Sequence, residues 1–226
     1  MKKLIRGIVE FRKKLHPEYR DTFRKLALEQ KPDALFIACS DSRVAANVFA
    51  STDPGDLFVI RNVGNMIPKC GYEGISMSDL SEIAAIEFAI QNLQVKNIIV
   101  CGHSECGAIN SLHSGREQVQ APHLREWLGH ADGTKLMTEQ DLARDETLAP
   151  HNRLSQLNVL LQMKHLMSYS LITNAVRDGK LQIHGWWFDI AKANVYAFEE
   201  ADKKFILIDE EEAKRLEARV SSPQSI

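Results

Sequence analysis

Short apolar runs that stop abruptly at polar residues constrain this chain more than any other feature. ALFIAC (34–39) and NIIVCG (97–102) are too short for buried helices and lack the alternation of half-exposed strands, so each reads as a strand covered on both faces. DLFVIRN (56–62) looks the same and is introduced by the turn signal Asp53-Pro54-Gly55. Between these runs the period changes to that of a helix. Over 79–93, Leu80, Ile83, Ile86, Ile90 and Leu93 fall on one face, with Asp79 and Glu82 placed as a capping box. HNRLSQLNVLLQMKHLM (151–167) is helical by the same criterion. KLQIHGWWFDI (180–190) and NVYAFEE (194–200) read as a hairpin, and FILID (205–209) as a further strand. The alternation predicts an α/β fold: a central, mostly parallel β-sheet flanked by helices, with an N-terminal helical arm and a C-terminal antiparallel strand. The polar stretch 115–150 offers room for short helices only.

Repeats, low-complexity tracts and Pro/Gly-rich linkers are absent, so a single domain is expected over 1–226. It divides into a helical arm (1–30), an α/β core (31–209) and a C-terminal helix with a frayed tail (210–226). Two amphipathic helices make up the arm, 2–15 and 18–29, with Pro17 placed to start the second. A net charge of −2 provides no basic excess to neutralise phosphates, which argues against nucleic acid as a partner. No apolar stretch approaches the roughly 20 residues of a membrane span. The basic start MKKLIRGIVEFRKKL lacks the unbroken apolar core of a signal peptide. A cytoplasmic location is therefore expected, and in that reducing compartment the four cysteines point to metal binding or catalysis rather than disulfides.

Parallel sheets carry their functional residues beyond the carboxyl ends of the strands. Cys39 ends the first strand, and the sequence CGHSECGA (101–108) sets His103 and Cys106 three residues apart at the end of another. Cys39, His103 and Cys106 make a Cys2His set, three protein ligands with one open position, as in catalytic zinc sites. Thiolates and imidazole favour zinc over magnesium or calcium. Cys106 falls in the first turn of a helix, where the dipole favours its thiolate. Cys101 reads as a buried core thiol and Cys70 as a bystander. Two competing cysteine chemistries fail on counting. Arg43 follows Cys39 by four residues, too few for a phosphatase loop, and Cys101 and Cys106 are not a Cys-x-x-Cys pair. Asp41 is then placed to orient a proton beside the metal or to ligate it, and Arg43 to restrain Asp41 through a bidentate pair.

CSDSR (39–43) with HSEC (103–106) resembles the paired signatures of the β-class carbonic anhydrases. DLFVIRNVGN (56–65), AAIEFA (84–89), IIVCGHSECGAI (98–109) and LQIHGWWFDI (181–190) resemble further family blocks, in family order. Within the class the chain is most similar to bacterial members near the carboxysomal enzymes of cyanobacteria. The resemblance implies reversible hydration of carbon dioxide to bicarbonate, one Zn2+ per chain, and Asp41 with Arg43 as a catalytic dyad. It further implies a substrate pocket of Gln30, Phe58, Val63 and Gly107. A homodimer or higher homo-oligomer is implied too, with Gln30 shared across the interface. The exposed-looking Leu4, Ile5, Ile8, Val9 and Phe11 of the first helix fit such an assembly. Carboxysome association is compatible with the resemblance without following from it. His113 and His123 are weak candidates for a proton shuttle. Some bacterial relatives hold regulatory bicarbonate on Trp, Arg and Tyr. The matching positions here are Phe36, Arg61 and Phe188, and two of the three polar contacts are lost. Two rival readings remain at this stage: a related zinc hydrolase of carbon disulfide or carbonyl sulfide, and a non-catalytic zinc-stabilised scaffold.

Overall fold

A computed structural model describes residues 1–71, 75–76 and 80–221. The chain opens with helix α1 (Lys2–Glu10), a wide π-turn (Phe11–Leu15) and α2 (His16–Leu26). Pro17 thus lies within the first turn of α2, as expected. The two predicted helices nevertheless run on without a break, joined through the wide π-turn. The second helix also stops short of 29, leaving Gln30 exposed in the segment that leads to the sheet.

Strand β1 (Ala34–Cys39) is buried along its whole length. A short helix α3 (Ala46–Phe49) links it to β2 (Leu57–Asn62), and α4 (Ser81–Gln91) leads on to β3 (Asn97–His103). Asp79 of the expected capping box lies outside the described residues, and Glu82 Oε1 instead accepts from the Asn62 side chain at 3.3 Å. After β3 come α5 (Gly107–Gly115), α6 (Pro122–Trp127), α7 (Pro150–Leu166) and α8 (Ser170–Arg177). Strands β4 (Gln182–Asp189), β5 (Asn194–Glu199) and β6 (Lys204–Leu207) follow, and α9 (Glu210–Ser221) closes the described chain. The polar stretch does hold short helices, α6 among them. Helices α3 and α8 have no counterpart in the sequence reading, each too short for its period to register.

The six strands form one sheet in the order β2-β1-β3-β4-β5-β6. The first four in that order pair in parallel, while β5 and β6 are antiparallel, so the expected antiparallel end comprises two strands. One sheet face carries Leu35, Ile37, Ile98 and Val100 against α4, α7 and α8. The other carries Phe36, Ala38, Ile99, Cys101 and Phe188 against α3. Burial on both faces explains the unbroken apolar runs. Edge strand β2 alternates, with Val59 and Arg61 exposed. From β1 the chain turns first to β2 on one side and later to β3 on the other. This reversal opens a crevice at the carboxyl ends of β1 and β3, where Cys39 and His103 are the last strand residues.

Candidate metal centre

The ligand atoms of Cys39, His103 and Cys106 all lie within 4.8 Å of one another, and all three side chains are buried. Adjacent strand ends supply the first two. Cys106 is supplied by the residue that caps α5, one position before the helical turn expected of it. His103 Nδ1 is 2.8 Å from the Ser104 carbonyl. A carbonyl only accepts, so Nδ1 carries the proton and Nε2 presents its lone pair. That Nε2 is buried without a hydrogen-bond partner and faces the two sulfurs, which are 4.0 Å apart. The contact with Cys106, against the opposing effect of burial, holds the Cys39 pKa down, and the Gly64 N–H assists. Cys106 is pushed up by the same contact and by burial. An orphaned imidazole lone pair beside two buried sulfurs is a donor set that zinc fits, since a divalent cation satisfies all three atoms at once.

Asp41 and Arg43 form the expected pair. Arg43 Nε donates to Oδ1 at 2.9 Å and Nη2 to Oδ2 at 2.7 Å, and the Arg43 N–H adds a third bond at 3.0 Å. These bonds, from Arg43 first, hold the Asp41 carboxyl well below the usual carboxylate range. Arg43 Nη2 also donates to the Glu105 carbonyl at 2.9 Å, tying the dyad to the turn between His103 and Cys106.

The surroundings hold residues that sequence reasoning missed or read differently. Arg61 donates to the carbonyls of Cys39 (3.0 and 3.1 Å) and Asp41 (2.7 Å), clamping the loop that carries ligand and dyad. Its neighbours at the matched regulatory positions are apolar. Phe36 and Phe188 are buried on either side of Phe49, whose ring stacks on Phe188 at 4.6 Å. Gly64, at φ +83°, turns its N–H to Cys39 Sγ at 3.3 Å; a Cβ there would lie 3.2 Å from that of Ala108, so glycine is required.

Helix α7 presents a buried polar row to these loops. Asn152 accepts from the Glu105 N–H at 2.7 Å, and Ser155 Oγ donates to the His103 carbonyl at 2.8 Å. Asn158 Nδ2 donates to the Gly64 carbonyl at 2.9 Å, and Gln162 Oε1 accepts from the Ile67 N–H at 2.8 Å. The spacing of these four was visible in 151–167, but nothing local marks which face of that helix is inward.

The residues expected to line the substrate pocket divide. Val63 sits in the turn beside Gly64, its carbonyl held by Trp127 Nε1 at 2.7 Å. Gly107 opens α5 directly after Cys106, and a Cβ there would meet nothing within 4 Å. Phe58 is not brought to the metal centre within one chain. It pairs with Leu35, four residues before Cys39 and thus about 13 Å back along the strand, and packs on Phe88 at 5.9 Å between ring centres. Gln30 is likewise exposed on the far side of β1's start. His113 and His123 are exposed on α5 and α6. Cys101 is wholly buried, and desolvation pushes its thiol far up, as a core residue should behave.

Comparison with known proteins agrees with this geometry. A family model described as carbonic anhydrase matches residues 34–195. A carbonic anhydrase of Synechococcus elongatus is 37% identical over 211 residues, spanning 93% of this chain and 76% of the relative. The solved structure of the β-carbonic anhydrase CcaA superposes with a TM-score of 0.79 at 36% identity, covering 92% of this chain and 98% of that one. A structure from the pair of tetrameric β-carbonic anhydrases of Sordaria macrospora gives a TM-score of 0.64 at 31% identity, over 87% of this chain and 92% of that one.

Proposed function

The chain belongs to the β-class carbonic anhydrase family, and from that premise we propose how its own residues divide the work of interconverting carbon dioxide and bicarbonate. The observation that carries the proposal is the buried, partnerless Nε2 of His103 facing the sulfurs of Cys39 and Cys106, with the Asp41–Arg43 pair two residues beyond Cys39. Cys39, His103 and Cys106 would hold zinc, which bound there would supply the Lewis acidity that activates water near neutral pH. Asp41 accepts a hydrogen bond from the nucleophile and so orients it. Arg43 keeps Asp41 ionised and fixes its rotamer through both guanidinium bonds. Val63 supplies an apolar wall for carbon dioxide, and the Gly107 N–H, at the start of α5, faces the charge that develops on substrate oxygen.

Gln30 and Phe58 complete the pocket only if a second copy of the chain delivers them, since both lie away from the ligands of their own chain. A homodimer is supported by the apolar face of α1, where Leu4, Ile5, Ile8 and Val9 are all exposed, and by the exposed Val48 and Val59 beside the sheet edge. A larger assembly is compatible with the tetrameric Sordaria proteins. No helix among the described residues is long and apolar enough to cross a membrane, which supports a cytoplasmic enzyme. The absence of bicarbonate regulation is supported by Phe36 and Phe188, which offer no polar contact and pack on Phe49, and by Arg61, whose Nε and Nη2 donate to two carbonyls.

Stopped-flow hydration of carbon dioxide, with and without a chelator and run beside carbon disulfide, tests the proposal. Fast, chelator-sensitive hydration with no carbon disulfide turnover is expected. A zinc-replete protein that is inactive towards carbon dioxide overturns it.

A further inference from the structure

The turn between the second and third ligands depends on a residue in an unfavourable conformation. Glu105 has φ +55°, the left-handed region that a side chain bearing Cβ disfavours. Each of its polar groups is engaged. Its N–H donates to Asn152 Oδ1 at 2.7 Å, and its carboxylate accepts from Asn152 Nδ2 at 2.9 Å and faces His151 Nε2 at 3.0 and 3.1 Å. Its carbonyl receives Arg43 Nη2 at 2.9 Å, from the same guanidinium that grips Asp41. Asn152 lies in the first turn of α7 and is only 8% exposed. Both ends of one buried amide therefore grip one residue, the N–H with Oδ1 and the side chain with Nδ2.

The geometry points to Glu105 and Asn152 as a positioning pair. Asn152, braced by α7, holds Glu105 left-handed, and that single residue then sets both the approach of Cys106 to the metal and the seat of Arg43. Glycine would adopt the same φ without help, but it would offer α7 no side chain to hold. Glutamate exchanges conformational ease for a turn fixed from outside. Neither residue touches substrate; they act through Cys106 and Arg43. The inference rests on the assignment of Cys39, His103 and Cys106 as metal ligands.

A double-mutant cycle separates this role from a general contribution to folding. Cobalt-loaded wild type, Asn152→Ala, Glu105→Gly and the double variant are compared by the rate of cobalt release to a chelator and by the thiolate-to-cobalt charge-transfer band. Asn152→Ala is expected to speed release about tenfold and weaken the band. In the Glu105→Gly background it should change release less than about twofold, because glycine no longer needs holding. In a Glu105→Gln background, where the left-handed demand remains, the roughly tenfold effect should persist. Equal effects of Asn152→Ala in the glutamate and glycine backgrounds, or wild-type release in Asn152→Ala, would overturn the inference. Wild type lacking any charge-transfer band would instead overturn the ligand assignment beneath it. Asn152→Ser keeps a short polar side chain but cannot span the Glu105 N–H and carboxylate together. It serves where the alanine variant does not fold, with the same coupling expected.

Discussion

Replacing Asn158 with leucine tests whether α7 supports the metal centre through its polar row. Asn158 is wholly buried; its Nδ2 donates to the Gly64 carbonyl at 2.9 Å and its Oδ1 accepts from Gln162 Nε2 at 2.8 Å. Leucine matches asparagine in branching and heavy-atom count but is larger, so crowding by its methyl groups adds to the loss and no cavity is left. Gln162 Nε2 keeps a second acceptor, the His130 carbonyl at 3.2 Å, whereas Gly64 is left with an unpaired buried carbonyl. An orphaned buried acceptor costs about 1–3 kcal/mol and a lost neutral hydrogen bond about 0.5–1.5 kcal/mol. The apolar side chain recovers part of that through burial, leaving a net loss of about 2 kcal/mol. That is a large fraction of the 5–15 kcal/mol typical of a domain. Urea unfolding followed by circular dichroism should show a lower midpoint with an unchanged slope. Zinc and protein concentrations must be held equal, because metal binding and self-association both shift the midpoint. Gly64 N–H is also the donor to Cys39, so chelators should strip zinc from the variant faster. A variant within about 0.5 kcal/mol of wild type would refute the reasoning, since it would mean that the Gly64 carbonyl finds water or another donor at no cost.

Three further outcomes are expected. Arg43→Ala should lower the carbon dioxide hydration rate by about 10²–10⁴-fold while zinc content, read by atomic absorption, stays at one per chain; loss of zinc alongside activity would show that the bond to the Glu105 carbonyl, and not the grip on Asp41, is its main contribution. Gly64→Ala should cost about 1–2 kcal/mol from φ +83° alone, with a further penalty where the new methyl meets Ala108, visible as a drop in melting temperature. Glu199, buried on β5, is opposed by desolvation but held down to about 2 by hydrogen bonds from Arg219, the Ala201 N–H and Arg215. A depressed carboxyl contributes stability that is complete above its ordinary 4.5 and lost as pH falls towards 2. Glu199→Gln should therefore cost up to about 3 kcal/mol at pH 6 and progressively less between pH 4.5 and 2; a wild-type-minus-variant difference independent of pH would show that Glu199 is not the titrating group.

How much of this molecule could be read from its residues depends on how local the relevant physics is. The apolar runs at 34–39 and 97–102 announced strands because burial on both faces demands uninterrupted hydrophobic side chains. With strands so placed, the parallel-sheet rule alone carried Cys39 and His103 to one edge, and metal chemistry left few other uses for two cysteines and a histidine there. Asp41 and Arg43 were legible for a related reason, since a bidentate pair two residues apart needs only a turn. Arg61 was seen only as a match to a regulatory position: its bonds to two main-chain carbonyls stayed hidden, because no sequence pattern marks which carbonyls a fold leaves open. Asn152, Ser155, Asn158 and Gln162 read as ordinary polar residues of a helix. Whether a polar side chain at helical spacing meets solvent or a loop is decided by what packs against it, so only the docking of α7 on β3 and β4 turned that row inward. The same holds for Gln30 and Phe58, which a single chain leaves away from the ligands. Sequence alone pointed to the strands, the Cys39–His103–Cys106 cluster and the Asp41–Arg43 pair, because each follows from side-chain chemistry and short-range pattern. Tertiary structure alone decided what holds them in place, because those contacts join loops and a helix that are neighbours only after folding.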